Sequence, residues 1–385
     1  MTYQYYDFFA GGGMAGVGLG PGWTCSFAND FDARKAAIYR ANHDGGSEFL
    51  LGDVASVTTG DLPGRPDMTW ASFPCQDMSL AGAGRGLKGG RSGAFWPFWN
   101  LMRGLGAEGR APKLIVLENV YGALTSHGGA DFTALADAFA DFGYRFGAMV
   151  IDAAPFVPQS RPRLFIIGVR GDQAIPPGCA GTNPTPMWHP AKLIEAAASL
   201  PPKAAANWVW WNLPAPPARN TSLSALIEDD PQGVKWRTDT DYLLSLMTPR
   251  HRARVTAAQQ SGEKTVGALF RRTRTDASGQ KRQRAEVRFD DMSGCLRTPS
   301  GGSSRQILLI VEGSSIRSRL VSPREAARLM GLPDTYQLPD RATAALHLAG
   351  DGVVAPVVRH LAAHILEPVL AATPVLTPHD ASAAA

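Results

Sequence analysis

Cysteine is scarce in this chain of 385 residues: Cys25, Cys75, Cys179 and Cys295 are scattered, and no Cys-x-x-Cys pair occurs. That excludes a disulfide-stapled scaffold and the usual zinc spacing, so no metal is expected and a reducing compartment fits best. Long apolar runs are lacking as well. No stretch reads as the roughly 18 apolar residues of a membrane span, and Met1-Thr2-Tyr3-Gln4-Tyr5-Tyr6-Asp7 has neither the basic start nor the apolar core of a secretion signal. A cytoplasmic protein with no membrane partner is the expectation. Net charge is modest, +4. What is plentiful is apolar residue, 44% of the chain, enough for one large domain and a smaller one.

The modest total hides an uneven distribution. Between Lys235 and Arg288 thirteen lysines and arginines face five acids, a net of +8, which leaves the rest of the chain at −4. A basic segment on a mildly acidic body is the footprint of a polyanion partner; a merely solvated surface would more often mix the signs.

Short aromatic and apolar runs alternating with helical stretches predict an α/β fold with a mostly parallel sheet. The first strand ends at Phe8-Phe9 and turns through Gly11-Gly12-Gly13-Met14-Ala15-Gly16 into a helix, with the spacing G-x-G-x-x-G. A second strand, Trp23 to Ala28, leads to Asp30, about where a ribose-binding carboxylate is expected. Glycines let a cofactor approach the backbone closely. By itself this fingerprint leaves a dinucleotide-dependent oxidoreductase open. Further strands end near Gly52-Asp53-Val54, at Phe73-Pro74-Cys75-Gln76, and at Leu117 just before Glu118-Asn119-Val120. In open α/β sheets ligands bind beyond the carboxyl ends of the strands, so Asp30, Asp53, Cys75 and Glu118 are expected in one crevice. After Cys75 the chain is Gly- and Arg-rich as far as Gly93, a basic setting that favours a thiolate. Arg161 and Arg163 precede another buried strand.

Prolines crowd the chain after Asp172, among Trp208, Trp210 and Trp211, and mark a domain boundary. The expected division is residues 1–171, a catalytic and cofactor-binding part; 172–290, a smaller irregular domain; and 291–385, a return to the first. Ser322 should cap a helix with Pro323 at its first position, and Gly350 to Pro356 should lead into a last helix ending near Leu370.

The ordered blocks Asp7-Phe8-Phe9-Ala10-Gly11-Gly12-Gly13, Phe73-Pro74-Cys75-Gln76, Glu118-Asn119-Val120, Gln159-Ser160-Arg161-Pro162-Arg163, Ser322-Pro323-Arg324-Glu325 and Gly350 to Pro356 resemble the DNA (cytosine-5) methyltransferase family over nearly the whole chain. Met14 and Asp351 depart from its common pattern. The resemblance implies a Rossmann-like catalytic domain, residues 172–290 as target-recognition domain, and a last helix packed beside the first strand. It implies S-adenosyl-L-methionine as cofactor, held by Phe9, Ala10, Gly11, Gly13 and Pro74, with Asp30 on the ribose, Phe31 on the adenine face, and Asp53 and Val54 at its edge. Cys75 would be the nucleophile, Glu118 would act at cytosine N3 and the exocyclic amine, and Arg161 and Arg163 would be supporting cations, Arg163 nearer O2. Gln76, Ser79, Arg85, Arg91, Arg271, Arg272 and Arg274 would contact double-stranded DNA. A bacterial or phage-encoded monomer near the nucleoid, with or without a companion restriction endonuclease, is implied. An RNA cytosine methyltransferase and a catalytically silent DNA-binding homologue remain as alternatives.

Overall fold

Seven short runs rich in apolar and aromatic residues form one sheet: β1 (Tyr3–Phe8), β2 (Trp23–Asp30), β3 (Phe49–Leu51), β4 (Met68–Ala71), β5 (Leu114–Val120), β6 (Tyr144–Asp152) and β7 (Pro162–Arg170). Their order is β3-β2-β1-β4-β5-β7-β6. The first five are joined in parallel, while β7 runs antiparallel to both β5 and β6. A computed structural model describes residues 2–74, 94–275, 278–298 and 305–372. Strand β5 is buried almost throughout, as a strand covered on both faces must be, and is correspondingly apolar from Leu114 to Leu117. The helices Phe95–Ala107 and Ala130–Asp141 carry their apolar stripes onto it. Phe95, Phe98, Trp99, Phe139, Tyr144 and Phe146 make a continuous aromatic core, with Trp99 edge-on to Phe139 at 4.9 Å.

The chain divides into two compact units, one of Met1–Asp152, Pro162–Pro216 and Val357–Ala385, the other of Ala153–Arg161 and Pro217–Pro356. Residues 172–216, proline-rich as they are, thus pack with the sheet unit, through the short pair β8 (Ala180–Gly181) and β9 (Trp210–Trp211). In the same unit the end of the chain is tied back to its beginning: Trp23 Nε1 donates to Glu367 at 2.9 Å, and Arg359 donates to the Leu19 carbonyl. The last helix is not continuous. A π turn at Ala362–Leu366 divides Ala355–Leu361 from Glu367–Ala371; Pro368, which has no N–H and crowds the carbonyl four residues back, accounts for the break.

The helical run Ala342–Ala371 is long and apolar enough by composition to span a membrane, which the sequence pattern did not suggest; 67% of its most apolar window is buried inside the protein, as in a core helix.

In the second unit β10 (Thr265–Thr275), β11 (Lys281–Arg288), β12 (Ile307–Glu312) and β13 (Ser315–Leu320) form an antiparallel sheet in the order β11-β10-β12-β13. Leu269, Val287 and Leu309 cluster with Leu243 and Val255 from the helices Thr240–Ser245 and Pro249–Gln260 and with Met247 between them. Ser322 caps the helix Pro323–Leu329 in a reciprocal box with Glu325. Glu325 is fully buried and also binds Arg319 at 2.6 and 2.8 Å. The helix Ala342–Asp351 was not expected, and Gly350 and Asp351 end it.

Candidate active site

The register of the parallel strands brings their carboxyl ends to one rim. Phe8 lies opposite both Asn29 and Ala71, Asp30 opposite Leu51, and Ala71 opposite Leu117. Asp53, Asp30, Phe9, Pro74 and Glu118 therefore follow one another along the sheet edge. Because β7 is reversed, its first residues reach the same rim, with Val120 opposite Arg163. Cys75, Gln76, Ser79, Arg85 and Arg91 lie outside the described residues.

Glu118 does not follow the strand, as the sequence pattern suggested, but lies within it: Glu118, Asn119 and Val120 overhang β4 and pair only with β7. Glu118 opposes Phe165, so Arg163 is its diagonal neighbour, and Arg163 Nε stands 3.2 Å from Glu118 Oε1. Both side chains are largely buried, Glu118 at 6% exposure. Such a carboxyl and guanidinium, held together beside a ligand, can address adjacent polar atoms on one side of a planar base. Asn119 has a supporting task that its place in the block did not reveal. Its Nδ2 donates to the Phe73 carbonyl at 3.3 Å and its Oδ1 accepts from Val120 N–H at 2.8 Å. It thereby fixes the segment that leads into Pro74-Cys75 against the end of β5.

The glycine turn has a geometry that only its sequence permits. Gly11 and Gly13 have φ of +58° and +77°, and a Cβ on Gly13 would lie 2.0 Å from His43 Nε2. A Cβ on Gly11 would meet nothing within 4 Å. The turn is thus packed behind and open in front, a cradle for close backbone approach. Phe9 itself has φ +59°, strain for a bulky residue, of the kind that persists at ligand sites. Phe31, just past β2, leaves 70% of its surface exposed, an apolar face for a flat ring.

Asp30 is more deeply engaged than a lone ribose ligand. Its Oδ2 accepts from Gly11 N–H at 3.0 Å and its Oδ1 from Asp32 N–H at 2.9 Å, so it holds the turn in shape. Asn29 donates to the carbonyls of Leu50 and Gly52, both at 3.0 Å, and sets Asp53 beside it. Asp53 caps the turn Val54–Ser56 by accepting from Ala55 N–H, while the Val54 side chain belongs to the core. Ala10 is buried, its N–H bonded to the Asn29 carbonyl.

Sequence patterning did not single out Asp7 and His43. Asp7 is 2% exposed, with no hydrogen-bond partner for Oδ2, and burial together with the charge of Asp30 pushes its carboxyl up to about 8. His43 is stacked on Tyr39 at 4.3 Å behind the turn, against the Gly13 backbone, and burial lowers its pKa. Only their burial reveals them.

Arg161 is set apart from Arg163. It belongs to the second unit, where it is 2% exposed and donates to the carbonyls of Leu296 at 2.8 Å, Gly350 at 2.8 Å and Gly352 at 2.6 Å. Gln159 works beside it, bonding Leu329 and Leu296. Its guanidinium is a tie between backbone segments. Arg271, Arg272 and Arg274 lie on β10 of the same unit. Among the described residues no group of three or more His, Cys, Asp or Glu could hold a metal ion.

A doubly wound sheet with a glycine cradle, an exposed aromatic and a buried carboxyl–guanidinium pair along one rim defines a Rossmann-like enzyme that uses a nucleoside-containing cofactor. The chain belongs to the C-5 cytosine-specific DNA methylase family, whose sequence model matches residues 3–367. It is similar to the Type II methyltransferase M.NlaX of Neisseria lactamica, 23% identical over 94% of this chain and 95% of that one. The Type II methyltransferase M.BsuFI of Bacillus subtilis is 32% identical over a shorter stretch, 44% of this chain and 40% of that protein. In fold it resembles the Dnmt2 methyltransferase of S. pombe, with a TM-score of 0.59 at 17% identity over 95% and 99% of the two chains. It is a DNA (cytosine-5-)-methyltransferase.

Proposed function

We propose that the chain methylates C5 of a cytosine rotated out of duplex DNA at a specific sequence, with Cys75 as covalent nucleophile. The observation that carries the proposal is the Glu118–Arg163 pair on the rim that also holds the glycine cradle. The residues present fit S-adenosylmethionine: Gly11 leaves the space for close approach, Phe31 offers a face to adenine, and Asp30 and Asp53 stand at the ends of neighbouring strands. When bound, that cofactor supplies an electrophilic methyl group.

Cytosine C5 is a weak nucleophile. Addition of the Cys75 thiolate to C6 moves electron density to N3 and C5, and Glu118 presents a proton or hydrogen bond at N3 to offset the developing charge. Arg163 holds Glu118 in place and can reach O2. Once C5 carries the methyl group, loss of the C5 proton and expulsion of the thiolate release 5-methylcytosine. A stacked base hides C6, so it must leave the duplex, at a cost of a few kcal/mol.

The chain expressed in a host without cytosine methylation should mark its plasmid with 5-methylcytosine at one short motif. Unmarked plasmid together with newly methylated cytosine in the host's tRNA would replace DNA by RNA as substrate.

A further inference from the structure

Strand β10 is longer than the sheet it belongs to. Among the described residues its pairing with β12 stops at Leu269 opposite Ile307, whereas its pairing with β11 continues to Thr275 opposite Lys281. Residues 271–275 and 281–285 thus form a two-stranded arm. Six of these ten residues are Arg or Lys, none is acidic, and none carries an apolar side chain larger than alanine's.

The register makes this composition costly. Arg272 stands directly opposite Arg284, and Arg274 directly opposite Arg282. Like charges so placed destabilise an antiparallel pair, and an isolated two-stranded ribbon is marginal even without them. All four arginines share one face, because alternate residues of a strand point the same way. Leu269, Ala285 and Val287, one residue out of phase, point to the other face, onto the helices Thr240–Ser245 and Pro249–Gln260. Among the described residues the carboxylate that engages this face is Glu286, bonded to Arg274 at 2.7 and 3.0 Å and 3.5 Å from Arg272.

We infer that this face, Arg272, Arg274, Arg282 and Arg284, lies along the phosphates of duplex DNA, and that Glu286 is a built-in counter-ion which phosphate displaces. The inference rests on the DNA reading above and adds to it the surface, the residues and a competitor. Phosphate oxygens accept the forked donors of arginine, and repulsion between facing guanidinia is relieved when anions stand between them. A two-stranded ribbon also has the width of the major groove. The absence of large apolar side chains from the ten arm residues leaves them nothing to insert into a lipid surface.

The test uses the full chain, random-sequence and motif-bearing duplexes, and a tRNA, with affinities measured between about 50 and 200 mM salt. Replacing the four arginines by threonine should flatten the logarithmic salt slope by about 0.9 for each phosphate no longer neutralised, alike on both duplexes. The same variant should melt no lower than wild type, since the like-charge pairs are removed. Glu286→Gln keeps every arginine and should tighten duplex binding about two- to fivefold, the scale of an exposed ion pair released to a new partner. An unchanged slope in the natively folded arginine variant, or weaker binding by Glu286→Gln, overturns the assignment. Loss of affinity for tRNA alone overturns duplex DNA as the occupant. Failure of the DNA reading looks different: the wild-type chain then transfers methyl to no DNA, whatever the arm binds.

Discussion

Asp7→Asn isolates one buried ionisation beneath the glycine turn. The folded chain keeps the Asp7 proton up to about 8, whereas an unfolded carboxyl releases it near the ordinary 3.8. Between those values the folded state binds more protons, so this group makes stability fall as pH rises, by up to ~1.4 kcal/mol per pH unit. From pH 6 to pH 8 the contribution is on the order of 2 kcal/mol, or about 4 °C in melting temperature if each kcal/mol moves it about 2 °C. The neighbours do not obscure it. Burial raises Tyr5 and Tyr39, pushes Cys25 up to about 12 and lowers His43, and whatever these groups contribute is common to both proteins and drops out of the difference. Asparagine has nearly the same shape and cannot ionise. Melting wild type and Asp7→Asn by calorimetry at half-unit pH steps should show the variant gaining on wild type as pH rises from 6 to 8. Parallel curves, or a variant that loses ground with pH, would refute an uncharged buried Asp7.

Glu118→Gln should lower single-turnover methyl transfer by a factor on the order of 100 or more, the scale of a positioned acid, with DNA affinity nearly unchanged; near-normal rates would make the carboxyl structural. Arg161 and Arg163 should separate by assay. Arg161→Ala leaves three carbonyls without their donor, that of Leu296 buried, and should cost about 3 kcal/mol in urea unfolding. Arg163→Ala should act on the transfer rate, and the reverse pattern would contradict their division between tie and site. Gly11→Ala has room for its methyl group but a strained φ, so cofactor affinity, followed by calorimetric titration, should fall more than stability does.

The sheet was readable because most of its strands are short apolar runs stopped by glycine, proline or a carboxylate, and the blocks at those stops are the ones proposed to carry the chemistry. The Ser322 cap appears as expected for the same local reason. What sequence patterning could not give depends on partners far along the chain. Arg161 and Arg163 are two residues apart and look equivalent, yet one meets carbonyls near residues 296 and 350–352 and the other meets Glu118. Asp30 has the spacing of a ribose ligand, but its bond to Gly11 appears only once β1 and β2 are paired. The arm of β10 and β11 was visible as charge alone. Its strands alternate arginine with threonine and glutamine rather than apolar with polar residues, so no hydrophobic period announces them.

The central claim, cytosine C5 methylation through Cys75, is tested most directly by trapping. Wild-type protein with S-adenosylmethionine and a duplex carrying 5-fluorocytosine at the target should form a denaturation-resistant protein–DNA adduct, because fluorine cannot leave as the C5 proton does. Cys75→Ala should form none while still binding the duplex. An adduct that persists in Cys75→Ala, or 5-methylcytosine produced at wild-type rates by that variant, would contradict the account.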